Sequence, residues 1–380
     1  MNWKKVELGD VCSIINGGTP KSEVAEYWDG DLNWITPKEM GKLLSREISS
    51  TERKITDKGM KNSSAKLLPI NSVILSSRAP IGHLAINKAL MATNQGCKGL
   101  VPSEALNYEY LYYFLSHSKQ LLNDMGSGAT FKELSGSKLA TVEIPLPSLQ
   151  VQLKIVTKLD AIFVEIDKAT AAAEANASNA EALFQSYLTQ VFEKDSNGWD
   201  IKFLNQISEN LDSKRIPITK GIREEGVIPY YGASGIVDYV KNFIFDGDIL
   251  LISEDGANLL ARTYPIAFSV NGKCWVNNHA HVVKFQNLVS QIFVEFYLNS
   301  ISLKPFVSGM AQPKLNQAML NKIPIPFPSL EEQAKLVNLF ESIKESSDIS
   351  HKAYIRKIEE LSKLKSSILK QAFSGELVGE

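Results

Sequence analysis

Two histidines, His279 and His281, stand two residues apart in WVNNHAHVV at 275–283, where polar and apolar residues alternate. A period of two predicts a half-buried strand, with Asn277, His279 and His281 on one face and Asn278, Ala280 and Val282 on the other. Two imidazoles on one face are half of a zinc site. No third His, Cys or carboxylate lies at a ligand spacing from them, so no metal is expected and the better reading is a polar contact or a core hydrogen bond. Glu254 and Asp255 precede Gly256, but adjacent strand residues point to opposite faces, which favours a turn or one recognition contact over a paired-carboxylate site. Glu52-Arg53-Lys54 has the ExK spacing of some nucleases, yet it lies in a Ser/Thr-rich stretch without an apolar strand. The chain has no GxxxxGK[ST] loop, GSGATF lacks the third glycine of a dinucleotide loop, and no Asn-Pro-Pro or Asp-Pro-Pro is present. No residue is assigned a catalytic role.

The sequence offers instead donors and acceptors matched to base edges and phosphates. In the first half these are Thr36, Lys38, Arg78, Asn94, Gln95, Thr130 and Lys132; in the second, Tyr231, Ser234, Glu254, Arg262, His279, His281, Gln312 and Lys314. Arg and Lys suit guanine edges, Asn and Gln adenine, and Asp or Glu cytosine, while Ser, Thr and backbone amides position phosphates. Each residue alone is an ordinary surface or capping residue. Their symmetric placement along the chain is what marks them.

That symmetry comes from a repeat. IPLPSLQVQLKIV at 144–156 returns as IPFPSLEEQAKLV at 325–337, 181 positions later, with eight of thirteen residues identical. The register continues through Leu183 over Leu364, Leu188 over Leu369 and Phe192 over Phe373, and upstream through Gly128 over Gly309. A period this long is no solenoid, whose repeats run to about 50 residues. In each copy two prolines predict a rigid extended arm and the serine an N-cap. An apolar stripe then follows at helical spacing, from Leu149 and Leu153 through Phe163, Ala173 and Ala177 to Val191, and from Leu336 to Ile368 with a weak stretch at 346–350. Unbroken over 149–192, the first helix would measure about 66 Å and needs a partner, which the second copy offers.

Ahead of each helix lies a module of mixed strands and short helices. In the first, 73–75 predicts a buried strand ending in the turn that carries Arg78, 92–102 a loop exposing Asn94 and Gln95, and 108–125 a helical run whose Tyr and Leu residues suit a core. In the second, 228–240 predicts two strands about a glycine turn and 243–257 two strands about an Asp-Gly turn. Scaffold positions agree while loop residues differ, as expected of two modules doing one job on two targets.

At 380 residues the chain is long enough for two or three domains. Its hydrophobic fraction of 44% and charged fraction of 22% are ordinary for a soluble protein. No run of 18 apolar residues and no apolar signal core is present, which predicts a cytoplasmic protein without a membrane span. Three scattered cysteines support neither a disulfide framework nor structural zinc. The net charge of -1 is neutral on nucleic acid, because a local basic groove or a basic partner can supply phosphate contacts.

The loop and arm sequences resemble one known family, the specificity subunits of type I restriction-modification enzymes. WITPKEM at 34–40, SSRAPIG at 76–82, TNQGCKGL at 93–100, YYGASGIVDYV at 230–240, FDGDILLISEDG at 245–256, NNHAHVV at 277–283 and the twin Pro-Ser-Leu arms carry the resemblance, in the family's order over nearly the whole chain. It implies an α+β protein: target-recognition domains at 1–146 and 195–327, followed by long helices at 147–194 and 328–380, packed as an antiparallel coiled coil. Each domain would read one half of a split sequence in double-stranded DNA, and helix length would set the unread gap. Readers about one DNA turn apart, roughly 34 Å, need a rigid separator of this kind. The resemblance implies no cofactor on this chain. Two methyltransferase subunits would bring S-adenosylmethionine for adenine methylation, and restriction subunits ATP and magnesium for cleavage. Other readings stay open: a coiled-coil scaffold that never reads DNA, in which the loop polar residues are replaceable; a self-contained enzyme, which requires a motif not found; and a silent subunit.

Overall fold

The computed structural model describes residues 3–128, 132–309 and 312–378, the side chains of Lys194 and Asp195 aside. The chain divides into two units, residues 1–172 with 357–380, and residues 173–356. In the first unit, strand β1 (Lys5–Glu7) pairs antiparallel with β10 (Glu143–Pro145), so the beginning of the module is tied to the proline arm that ends it. Between them run β2 (Cys12–Asn16), β3 (Trp28–Ile35), β4 (Glu47–Ile48), β5 (Lys54–Ile55), β6 (Val73–Ser77), β7 (Ile81–Asn87), β8 (Met91–Thr93) and β9 (Cys97–Pro102). They form a five-stranded sheet, β2-β9-β6-β7-β4, and a three-stranded sheet, β5-β3-β8. The central strand β6 is buried along its whole length, as its apolar composition requires. Helix Tyr108–His117, capped by Asn107 Oδ1 accepting from the Glu109 and Tyr110 amides, buries Tyr110, Leu111, Phe114 and Leu115 in the core.

The second unit repeats this plan. β11 (Asp200–Lys202) pairs antiparallel with β19 (Ile325–Phe327), the second proline arm. β12 (Ser208–Asn210), β13 (Glu225–Gly232), β14 (Gly235–Val240), β15 (Ile249–Ser253), β16 (Ala267–Val270), β17 (Trp275–Val276) and β18 (Ala280–Phe285) make the sheets β12-β18-β15-β16 and β14-β13-β17. Two expectations need correcting here. The stretch 243–245 is no strand and holds only an isolated bridge from Phe245 to Cys274. Residues 277–279 form a turn, so β18 begins at Ala280 and the predicted common face of Asn277, His279 and His281 does not exist.

The long helices run over Leu149–Gln190 and Leu330–Ser374. The second is unbroken through the polar stretch expected to be uneven, because its polar side chains find carbonyl partners. Ser346 Oγ donates to Ser342 O, Ser347 Oγ donates to Ala180 O at 2.6 Å, and His351 Nδ1 lies 3.2 Å from Ala177 O. Those contacts make the helices antiparallel in the second unit, beside the buried small residues Ala173 and Ala177. In the first unit the same sense follows from Lys158 Nζ donating to Leu377 O and Lys365 Nζ to Asp167 Oδ1. Leu149 and Leu153, expected in the stripe, are 44% and 49% exposed; Val156, Phe163 and Ile166 of the stripe are buried, and Ile155 and Leu159 join them on the buried face.

The repeated Pro-Ser-Leu motif acquires a reason. Gln152 and Gln333, the glutamines of the two copies, are buried and each Nε2 donates back to its own proline arm, at Pro147 O and Pro328 O. Gln152 Oε1 accepts from the Asn107 amide, and Gln333 Oε1 from Ser290 Oγ, which locks each helix start to a helix of the module. Among the described residues no helix is long and apolar enough to cross a membrane. Cys12, Cys97 and Cys274 are free and buried, and burial pushes their thiols up to about 12.

Candidate nucleic-acid interface

Both units build the same small framework at the end of their central strand. In the first, Asn94 Oδ1 accepts from the Gly96 amide, Asn94 N donates to Ile35 O, and Ser77 N donates to Gly96 O. In the second, Asn277 Oδ1 accepts from the His279 amide, Asn277 N donates to Tyr231 O, and Glu254 N donates to His279 O. Leu134 N then donates to Ser77 O, and Leu315 N to Glu254 O. Strand register agrees, since Lys98 lies opposite Leu75 and His281 opposite Ile252. Ser77, Arg78, Gly96, Lys98 and Glu133 therefore occupy the positions of Glu254, Asp255, His279, His281 and Lys314. Aspartate and asparagine side chains favour such turns because their oxygen accepts a bond from the amide two residues on.

In the first unit, Arg78 projects from the turn after β6, with Nη1 3.8 Å from Glu133 Oε2, both side chains nearly half exposed. Behind them, Lys98 is buried with Nζ 4.0 Å from Glu133 Oε1. Gln95 is exposed on the adjoining turn, and a Cβ at Gly96 would stand 3.2 Å from Pro37 Cγ and 3.9 Å from Arg78 Cβ, so the helical turn that carries Lys38 adjoins as well. Lys38 and Lys132 are exposed. Asn94 is half-buried rather than exposed, with its carboxamide spent on the turn and on Thr19 Oγ1. Thr36 Oγ1 accepts from the Glu39 amide as an N-cap, which occupies it locally. Thr130 lies outside the described residues. Arg53, of the ExK triplet, sits 3.9 Å from the ring centroid of Trp28 and 5.2 Å from that of Trp34, a packing role.

The second unit is more elaborate. Glu254 is buried, with Oε2 2.7 Å from Arg215 Nη1 and Oε1 3.2 Å from Lys314 Nζ. Arg215 Nη1 also donates to Ala280 O, and its Nε to Asp212 O. His281, only 1% exposed, presents Nδ1 to Asp212 Oδ2 at 2.6 Å and Nε2 to Leu315 O at 2.7 Å. Burial pushes the Glu254 carboxyl up, but Arg215, His281 and Lys314 outweigh it and hold it below the ordinary glutamate range. Asp212 is likewise pushed up by burial and brought lower than usual by His281, the Val282 amide and Asn210. Asp212, Glu254 and His281 bring ligand atoms within 4.8 Å of one another. The Arg215 guanidinium lies against both carboxylates and Lys314 adds a second cation at Glu254, so the donor set fits an ion network better than a metal.

Outside this network, His279 is exposed and its Nδ1 lies 2.9 Å from the Asp255 carboxylate. His279 and His281 thus belong to different environments. Ser234 sits exposed at the β13–β14 turn, Gln312 is exposed, and Tyr231 is half-buried against Phe268. Arg262 takes a left-handed backbone and donates to Leu298 O and Ile301 O at the end of helix Leu288–Ser300, so its guanidinium caps a helix. Sequence reasoning missed Asp212, Arg215, Lys98 and Glu133 as members of the site, and it weighed Asp255 only together with Glu254. Lys98 carried a readable signal, a lone charge inside the apolar run 97–101. Asp212 and Arg215 carried none, because Glu254, Ala280 and His281, which they hold, lie tens of residues away.

The sequence profile of the type I restriction modification DNA specificity domain matches residues 1–175 and 196–360. The type I restriction enzyme MjaIX specificity subunit of Methanocaldococcus jannaschii is 29% identical, with 99% of this chain and 94% of that protein covered. The EcoprrI specificity subunit of Escherichia coli is 26% identical over 95% of this chain and 90% of its own length. A solved chain from a type I R-M system, described for its complex assembly and conformational transition, superposes with a TM-score of 0.79 at 18% identity, covering 99% of this chain and 98% of that one. An HsdS subunit from Thermoanaerobacter tengcongensis superposes with a TM-score of 0.59 at 18% identity, over 99% and 97% of the two chains. At these identities the superpositions speak for the fold.

Proposed function

This chain belongs to the specificity-subunit family of type I restriction-modification enzymes, and we propose that it reads a bipartite target in double-stranded DNA, one half with each module. The observation that carries this reading is the pair of equivalent frameworks with different side chains on them, Arg78, Lys98 and Glu133 in one and Asp255, His281 and Lys314 in the other. One scaffold built twice with different donors and acceptors suits one task on two sequences. The recognition domains are 1–146 and 195–327, and the helices of 147–194 and 328–380 act as the spacer that sets the unread gap. Within the first domain the readers are Arg78, Lys132, Lys38 and Gln95, with Thr130 beside them in sequence; within the second they are Lys314, His279, Ser234, Gln312 and Tyr231. Thr36, Asn94, Arg262, Glu254 and His281 shape these surfaces from within.

The chain catalyses nothing itself. It docks two methyltransferase subunits, which carry S-adenosylmethionine to methylate adenine, and restriction subunits, which use ATP and magnesium for cleavage. The complex works in the cytoplasm. The test is single-molecule sequencing of methylated adenine in cells expressing the chain with the methyltransferase subunits of its complex, against cells lacking it. A split motif that appears only with the chain is expected, and deleting one helical turn near Ala173 should shorten the gap and leave both halves unchanged. Identical methylation with and without the chain would refute the reading in favour of a scaffold or a silent subunit.

A further inference from the structure

The equivalence of the two frameworks carries a statement about which bases they read. Where the first unit exposes Arg78, the second presents the half-buried Asp255: both follow the residue whose carbonyl accepts from a leucine amide, and both bridge the strand segment that returns to it, Arg78 to Glu133 and Asp255 to Lys314. Arg78 lies against a carboxylate and Asp255 against an imidazole. Arg78 has Glu133 at 3.8 Å, and Asp255 has His279 Nδ1 at 2.9 Å with Lys314 on the neighbouring strand segment. The sign is therefore inverted at both corners of the framework: Arg and Glu in one unit, Asp and Lys in the other.

Resting on the bipartite reading above, we propose that Arg78 and Asp255 are specificity-determining residues at equivalent positions with opposite polarity: Arg78 donates to a guanine edge in one half-site and Asp255 accepts from a cytosine amino group in the other. Arginine presents two donors to guanine O6 and N7, whereas a carboxylate can only accept, and cytosine N4 is the major-groove donor it fits. Glu133 positions Arg78, and His279, besides its own place among the readers, positions Asp255. The sequence offered Glu254 or Asp255 as one recognition contact at this turn, and the structure turns Glu254 inward and leaves Asp255 beside His279, 24 residues on.

The test is the methylated motif produced by the assembled complex with Arg78→Gln and with Asp255→Asn. Gln and Asn both suit adenine, so each substitution should degrade or convert one position, a guanine in one half for Arg78→Gln and a cytosine in the other half for Asp255→Asn, with discrimination at that position falling roughly ten- to a hundredfold. The untouched half of the motif reports that the protein is folded and assembled. An unaltered motif with both variants overturns the polarity assignment and leaves the bipartite reading standing. A wild-type complex without any chain-dependent split motif removes both. If Arg78→Gln abolishes methylation altogether, Arg78→Lys decides: retained guanine at weaker methylation supports the assignment, and total loss again overturns it by showing Arg78 to be structural.

Discussion

Replacing Arg215 with alanine should destabilise the second unit far more than removing an ordinary surface ion pair. The side chains of Arg215 and Glu254 are only 13% and 12% exposed, and the guanidinium satisfies Glu254 Oε2 at 2.7 Å, Ala280 O at 2.7 Å and Asp212 O at 3.1 Å. Breaking one side of a buried pair costs about 3–5 kcal/mol, because the charge left behind has neither water nor a partner. Lys314 stays 3.2 Å from Glu254 Oε1 but is half exposed, so it offsets only the fraction expected of a surface pair, on the order of 0.2–1 kcal/mol. The expected loss is therefore about 3 kcal/mol. For a unit of this size that lowers its melting midpoint by roughly 6–12 °C. Thermal and urea unfolding, with hydrogen exchange at β15 and β18 to assign the transition to this unit, measures it. Adding Glu254→Gln should recover part of the loss, since the stranded charge is then gone. A loss below about 1 kcal/mol, or simple additivity in the double variant, would refute the claim that the network is buried and coupled.

The acid limb should show the same network. Asp212 and Glu254 titrate below their ordinary values of 3.8 and 4.5 in the fold, so the unfolded chain binds more protons and stability rises with pH in that window. Their contribution is complete above about pH 4.5 and lost as pH falls through the lowered native values, and Glu254→Gln should flatten the limb measured by unfolding between pH 3 and 6. Glu295, whose carboxyl burial pushes up, has the opposite slope, and Glu295→Gln should steepen the same curve. Gln333→Leu should cost about 1–3 kcal/mol in urea unfolding, since Ser290 Oγ and Pro328 O lose their partner. Phe340→Ala, at a fully buried ring between Phe192 and Phe296, should cost about 3–5 kcal/mol by the same assay. Ala177→Leu, where His351 lies against the Ala177 carbonyl, should cost about 1–3 kcal/mol by overpacking the helix contact.

The repeat and the two modules were legible from identities at a fixed offset, and the proline arms and long helices from local rules, prolines that refuse a helix and a stripe of period 3.6; the antiparallel sense followed only from the family resemblance. Phase was less legible. Leu149 and Leu153 fit the stripe by spacing, yet Ile155 and Leu159 take the core, because the glutamine lock at Gln152 fixes the rotation of the helix as it leaves the arm. The site was least legible where polar residues serve the fold. Arg262 has the type of a reader and caps a helix; Asn94 has the type of an adenine contact and builds a turn. Composition cannot separate these roles, since the partners are main-chain carbonyls and amides that no side-chain pattern announces.

That distribution of labour explains how one framework carries opposite charges. The bonds that define it run between main-chain atoms, Leu134 N to Ser77 O and Leu315 N to Glu254 O, or from an amide to the asparagine Oδ1 two residues before it. A position that contributes its main-chain amide and carbonyl to the framework tolerates serine in one unit and glutamate in the other, and its neighbour tolerates arginine or aspartate. Where a charge is turned inward, as at Glu254, the surrounding loop must supply the compensating cation, and Arg215 does so from a segment outside the framework. Exchanging an exposed reader such as Arg78 should then leave stability within about 0.5 kcal/mol, whereas exchanging Ser77 for glutamate without an Arg215 equivalent should bury an unmatched charge beside Glu133 and unfold the strand end.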